Sequence, residues 1–109
     1  MTKEEIFYQT IGQKIKNAIQ SQLFGKPCFK INGKAFVCFF QNEMVFKLNG
    51  NSHFEAINLE GSKLFDPSGK QRPMKEWIKI SNINSELWDK FAIEAAKYVS
   101  SKYFYNINY

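Results

Sequence analysis

The sequence predicts an α+β domain, a two-layer sandwich in which an antiparallel sheet of about five strands is packed by N- and C-terminal helices. Three observations predict it. Apolar residues recur at three- and four-residue steps near both ends of the chain, from Ile6 and again from Leu87. Short β-branched and aromatic runs fill the middle. Between two of those runs stands Asn32-Gly33, a strong two-residue hairpin signal because both positions tolerate positive φ.

Thr2-Lys3-Glu4-Glu5 reads as a capping box, the Thr hydroxyl accepting from an amide of the first turn. Ile6, Phe7, Ile11, Ile15, Ala18, Ile19 and Leu23 then form one stripe, so the first helix is expected to reach Leu23 and to stop at Gly25 and Pro27. Cys28 to Ile31, Lys34 to Phe40 and Glu43 to Leu48 read as a meander of three strands. Ser52-His53-Phe54-Glu55 reads as a second capping box, opening a short helix to about Glu60 that Gly61 closes.

Lys63-Leu64-Phe65 reads as a short strand, Asp66 to Lys70 as a turn-rich loop, and Met74 to Ile80 as a strand. Pro73 lacks an amide donor, which suits the start of that strand. Asn84 or Ser85 is expected to cap the last helix, with Leu87, Trp88, Phe91, Ala92, Ala95, Tyr98 and Val99 on one face. The tail from Tyr103 to Tyr109 is an aromatic segment expected to pack back or fray.

At 109 residues the expectation is a single domain, residues 1–109. Apolar residues at 44% against 23% charged give enough core material that disorder is not the default. No apolar run has the length of a membrane span or a signal-peptide core, and two cysteines suit a reducing compartment, so a cytoplasmic location without membrane contact is expected. The net charge of +5 suits an acidic partner. Fourteen of the fifteen cations are Lys and only Arg72 is Arg, a balance that argues against bidentate, sequence-specific reading of DNA. The lysines are also spread along the sequence instead of forming runs.

No constellation of catalytic residue types is present, so neither an enzyme nor a cofactor is expected. A metal site at His53 would need ligand-type partners at helical or strand spacing, and neither cysteine stands near it, so a structural or neutral role is expected. A two-residue loop at Asn32-Gly33 sets Ile31 opposite Lys34 and Cys28 opposite Val37, which turns Cys38 to the other face. That geometry disfavours a disulfide unless the register slips by one, and buried small-residue packing is the simpler reading of both cysteines. Asp66-Pro67-Ser68-Gly69-Lys70-Gln71-Arg72 gathers a Gly, a Ser and two cations that suit an anion, with Lys70 and Arg72 as contacts. It lacks Walker spacing, and a plain connecting loop is the simpler reading. Glu4, Glu5, Glu86 and Asp89 sit where helix starts favour acids.

The same registers place Ala35, Val37, Phe39, Met44, Phe46 and Leu48 on one face. Phe29, Ile31, Phe36, Cys38, Phe40 and Val45, with Lys34 and Lys47, fall on the other. A sheet with one wet face should alternate apolar and polar residues, and this one does not. Either helices cover both faces or one face is an interface.

That face, with Phe29, Phe36, Phe40 and Lys47, is therefore a candidate binding surface for a protein partner or a second copy. Trp77 shares its side of a strand with Lys75 and Lys79, either to stack on a ligand or to shield the sheet beneath lysine stems. The alternative is weak, non-specific nucleic-acid binding through Lys14, Lys16, Lys26, Lys70, Arg72, Lys75 and Lys79.

Phe24-Gly25, Asn32-Gly33-Lys34-Ala35-Phe36, Phe46-Lys47-Leu48, Phe65, Pro73-Met74, Trp77, Trp88 and Ala95-Ala96 form an ordered set within a span of about Glu5 to Lys102. In that order they resemble the N-terminal domain of the TfoX competence regulators and the related MmcQ/YjbR-like proteins. The resemblance implies a two-layer fold like that of secretion-chaperone-like domains. It implies a regulatory module, with DNA binding a label often given to the MmcQ/YjbR relatives. It carries no catalytic residues, and full-length competence regulators add a second, C-terminal domain.

Overall fold

The computed structural model describes the backbone of residues 1–107 and the side chains of residues 1–100. Its elements are α1 (Lys3–Lys14), β1 (Ile19–Leu23), β2 (Lys26–Ile31), β3 (Lys34–Phe40), β4 (Glu43–Lys47), α2 (Gly50–Ile57), β5 (Lys63–Phe65), β6 (Met74–Ile80), a 3₁₀ segment (Asn82–Leu87) and α3 (Trp88–Ile107). The six strands form one antiparallel sheet in the order β1-β2-β3-β4-β6-β5. The α+β class holds, with one strand more than expected. The side chains of the aromatic tail lie outside the described residues.

The added strand is β1, which replaces the second half of the expected first helix. Thr2 does cap α1, its side chain accepting from the Glu5 amide at 3.1 Å. The helix then ends at Lys14, Ile15 is extended and Asn17 takes a φ of 69°. Asn tolerates that left-handed conformation, and the break frees Ile19–Leu23 to pair with β2. Ile19 and Leu23 fit a helical stripe and a strand face equally, which is why periodicity misreads them. Phe24 and Gly25 are the two turn residues of the β1–β2 hairpin, with φ of 55° and 73°, and not a helix stop.

Two caps also differ from expectation. Asn49, not Ser52, precedes α2, and the Ser52 hydroxyl donates to the Asn49 carbonyl at 3.0 Å. The helix ends at Ile57, short of Glu60. Neither Asn84 nor Ser85 caps the last helix: Ser81 accepts from the Ile83 amide at the start of the 3₁₀ segment, and the Asn84 side chain donates to the Glu60 carbonyl.

All three α-helices contribute to one core with one face of the sheet. Tyr8 and Ile11 of α1, Ala56 of α2, and Trp88, Phe91, Ala92, Ala95 and Val99 of α3 meet Phe29, Val37, Phe46 and Ile78. The α1 stripe is rotated from its expected setting, since Ile6 is exposed and Tyr8 is buried. Trp88 is wholly buried with its indole N–H donating to the Ile80 carbonyl, which satisfies the one polar atom that burial would penalise.

A β-bulge reassigns the faces. Phe29 pairs with Val37 and Lys30 with Ala35, leaving Phe36 as an extra residue in β3. Phe29, Ile31 and Phe36 therefore join the helix-side core instead of the opposite face, and Cys28 comes to stand across from Cys38. Both cysteines are free and buried. The Asn32-Gly33 turn is as expected; the slip occurs two residues further along each strand, where no local sequence signal marks it.

Candidate functional site

The face of the sheet turned away from the helix core is the candidate site. Cys28, Cys38, Val45, Phe65 and Trp77 form a second, smaller buried cluster there, with Leu23, Ala35, Phe40 and Met74 packed against it. Among the described residues no helical side chain belongs to this cluster. Among the described residues, the sheet's own larger side chains form part of its cover.

Phe40 is the centre of that cover. Its ring meets the Phe65 ring edge-on at 5.3 Å between centroids. The Lys26 Nζ lies 4.6 Å and the Lys79 Nζ 5.6 Å from the Phe40 centroid, so two ammonium groups flank one aromatic ring. Alternation from Cys28 and Trp77 and the cross-strand registers put Lys26, Lys30, Lys47, Lys63 and Lys79 on this face. Glu43 lies on the same face beside Lys79.

The charges are only partly neutralised locally. Lys63 and Lys79 are direct cross-strand partners, an arrangement of like charges that opposes pairing. Glu43 offsets it in part, 3.9 Å from Lys79. Lys47 lies 3.9 Å from Glu76. Among the described residues Lys26, Lys30 and Lys63 have no ion-pair partner, whereas Lys90 and Lys97 on α3 pair with Glu55 and Glu94. Between Phe40, Lys63, Phe65, Ser68 and Lys79 lies an open pocket of about 340 Å³.

Charge is segregated between the two layers. The strands and their connections, residues 15–49 and 61–81, carry ten of the fifteen cations and three of the ten acids. The helical segments carry five cations and seven acids. Lysines that look dispersed in sequence are thus concentrated on the sheet layer, because the meander returns to the same surface at each strand.

The residues singled out in the sequence divide accordingly. Phe40 and Lys79 come together on the open face with Lys26, and Lys47 lies on the same face at the other end of β4, across from Trp77. Phe29 and Phe36 lie in the helix-side core. Trp77 is only 5% exposed and belongs to the buried cluster, so it supports the face from below. Lys75 is exposed at the start of β6, where its carbonyl accepts from His53 Nε2 at 2.8 Å. Lys14 ends α1 and Lys16 follows it, away from this face.

Lys70 and Arg72 lie in a loop that is already organised around its own anion. The Asp66 carboxylate accepts from the amides of Ser68, Gly69 and Arg72 and from the Ser68 hydroxyl. The Ser68 hydrogen bond, with those from the amides, holds the Asp66 carboxyl below its ordinary range. The donors that an incoming anion needs are occupied, which favours the connecting-loop reading. Lys30 and Lys63 were legible only through the sheet register.

Burial pushes the Cys38 thiol up to about 12, with Cys28 adding to the shift, and burial raises Cys28 as well. Thiolate chemistry is therefore suppressed at both. No cluster of three or more His, Cys, Asp or Glu placed to hold a metal occurs among the described residues. No described helix is long and apolar enough to cross a membrane. No protein-family model, curated protein or solved structure matches this chain.

Proposed function

We propose that this protein is a small non-enzymatic binding module that engages nucleic acid weakly and without sequence preference through the lysine-bearing face of its sheet. The observation that carries this reading is the set of lysines around Phe40: Lys26 and Lys79 flank the ring, and Lys63 stands directly across from Lys79. Like charges held together at a cost to folding are an arrangement that phosphates relieve. The face is lysine-rich and carries no Arg, so it contacts backbone phosphate as a set of point charges and does not read bases. The resemblance to TfoX N-terminal and MmcQ/YjbR-like proteins agrees with a regulatory, DNA-associated role. Two free thiols suit a cytoplasmic setting.

An apolar sheet face for a protein partner is the less favoured reading, because the apolar residues Cys28, Cys38, Val45, Phe65 and Trp77 of that face are already buried. The test is fluorescence anisotropy with a labelled single-stranded oligonucleotide at low ionic strength. A Lys26→Ala/Lys30→Ala/Lys63→Ala variant is expected to bind at least about tenfold more weakly than the parent. A Lys90→Ala/Lys97→Ala variant, altered on α3, is expected to bind as the parent does. Equal loss in both variants, or none in either, would rule this face out.

A further inference from the structure

The two edges of the sheet are built differently. β5 is an edge of three residues, carries Lys63, and pairs irregularly with β6, devices that discourage a further strand from adding. β1, the other edge, is five residues long, and its pairing with β2 is uninterrupted. Its sequence Ile19-Gln20-Ser21-Gln22-Leu23 contains neither a charge nor a proline. Every other strand carries at least one lysine. Residues 19–22 are exposed, Ile19 at 69%, and Phe24 at the adjoining hairpin tip is 49% exposed.

We infer that β1 is a self-association edge, and that its occupant is β1 of a second copy, paired antiparallel about a two-fold axis at Ser21. Charge selects this occupant. A sheet layer this basic repels its own copy wherever lysines meet, and β1 is the one strand where they do not. The sequence is also self-complementary in that register. Ile19 meets Leu23, Gln20 meets Gln22 with amides able to hydrogen-bond across the ladder, and Ser21 meets Ser21. Side chains of paired residues point to the same side, so the dimer has one continuous sheet of twelve strands, with both lysine faces on one surface. The pairing itself needs nothing from those lysines. Five strand residues bury much less than a standard interface of about 1,600 Å², so a weak, reversible dimer is expected.

Sedimentation equilibrium over a concentration series tests it. The parent is expected to dimerise reversibly. Gln20→Lys/Gln22→Lys and Gln20→Glu/Gln22→Glu are each expected to self-associate about tenfold more weakly, since like charges then stand opposite, and an equimolar mixture is expected to form the heterodimer. Oxidation with copper phenanthroline of a Ser21→Cys variant, which meets itself at the axis, is expected to yield a covalent dimer while Ser52→Cys stays monomeric. This second readout does not depend on the double variants folding. A parent that remains monomeric up to about 1 mM, where interfaces of this class are populated, overturns the inference. So does a dimer unaffected by both charge variants, or equal cross-linking at Ser21 and Ser52.

Discussion

Cys28 stands directly across the β2–β3 ladder from Cys38, the two thiols buried side by side under the lysine-bearing face. The extra residue Phe36 creates this relationship by shifting β3 one position against β2. It also ties the thiols to the stability of the sheet. Both are held protonated by burial, so neither is expected to react with a thiol reagent in the folded protein at neutral pH. Labelling at the rate of a small free thiol, with no unfolding, would contradict this.

Stability should fall in alkali. The Cys38 thiol ionises at an ordinary value of 9.0 when unfolded and at about 12 when folded, so its contribution is fully present below 9. As pH rises from 9 towards 12 the unfolded chain releases a proton that the folded chain retains, and stability declines. Tyr8, also raised by burial, adds to the decline. Urea unfolding midpoints should be level through neutral pH and drop above 9, with a shallower drop in Cys38→Ala. An equal slope in that variant would remove Cys38 as a cause.

Gly12→Ala should destabilise the protein even though it lies inside α1. Alanine improves helix propensity by about 1 kcal/mol. A Cβ at Gly12, however, falls 2.1 Å from Phe29 Cε2, an aromatic ring buried in the core. Overpacking of this kind costs about 1–3 kcal/mol, so the clash outweighs the propensity gain. A lower thermal midpoint is expected, and an increase would contradict the packing of α1 on β2.

Tyr8→Phe should be neutral or stabilising. The Tyr8 ring packs on Phe29 and Phe39, while its buried hydroxyl has no hydrogen-bond partner among the described residues. Removing it keeps the ring contacts and relieves a desolvation penalty of about 1–3 kcal/mol. A loss of more than about 1 kcal/mol in denaturant unfolding would show that the hydroxyl is bonded.

Trp77 and Phe40 should separate folding from binding. Trp77→Ala removes a buried ring and is expected to cost about 3–5 kcal/mol. Phe40 is half-buried and flanked by ammonium groups, so Phe40→Ala is expected to cost less in stability and more in oligonucleotide affinity. Calorimetry and anisotropy on the two variants would reveal a reversal of that order.

The fold class was legible because local signals agree with it: the Thr2 cap, the Asn32-Gly33 turn and the bounds of β3 and β6. What was not legible depends on position relative to other strands. Ile19 and Leu23 satisfy helix and strand periods alike, and Phe24-Gly25 lacks the usual hairpin composition. The bulge at Phe36 reversed the assignment of Phe29, Ile31 and Phe36 and brought Cys28 to Cys38. A one-residue slip exchanges faces, so errors in the site followed from one in the register. Lys26, Lys63 and Lys79 are far apart in sequence, and only the order β3-β4-β6-β5 and the β2 pairing gather them around Phe40.

The most direct test of the lysine face is the salt dependence of oligonucleotide binding. For single strands the slope of log K against log salt is about −0.7 per phosphate neutralised. The five lysines of the face acting together therefore give a slope of about −3.5, and the Lys26→Ala/Lys30→Ala/Lys63→Ala variant, which keeps two, a slope of about −1.4. A parent that shows no binding at low ionic strength, or a slope that the variant leaves unchanged, would contradict the assignment of nucleic-acid binding to this face.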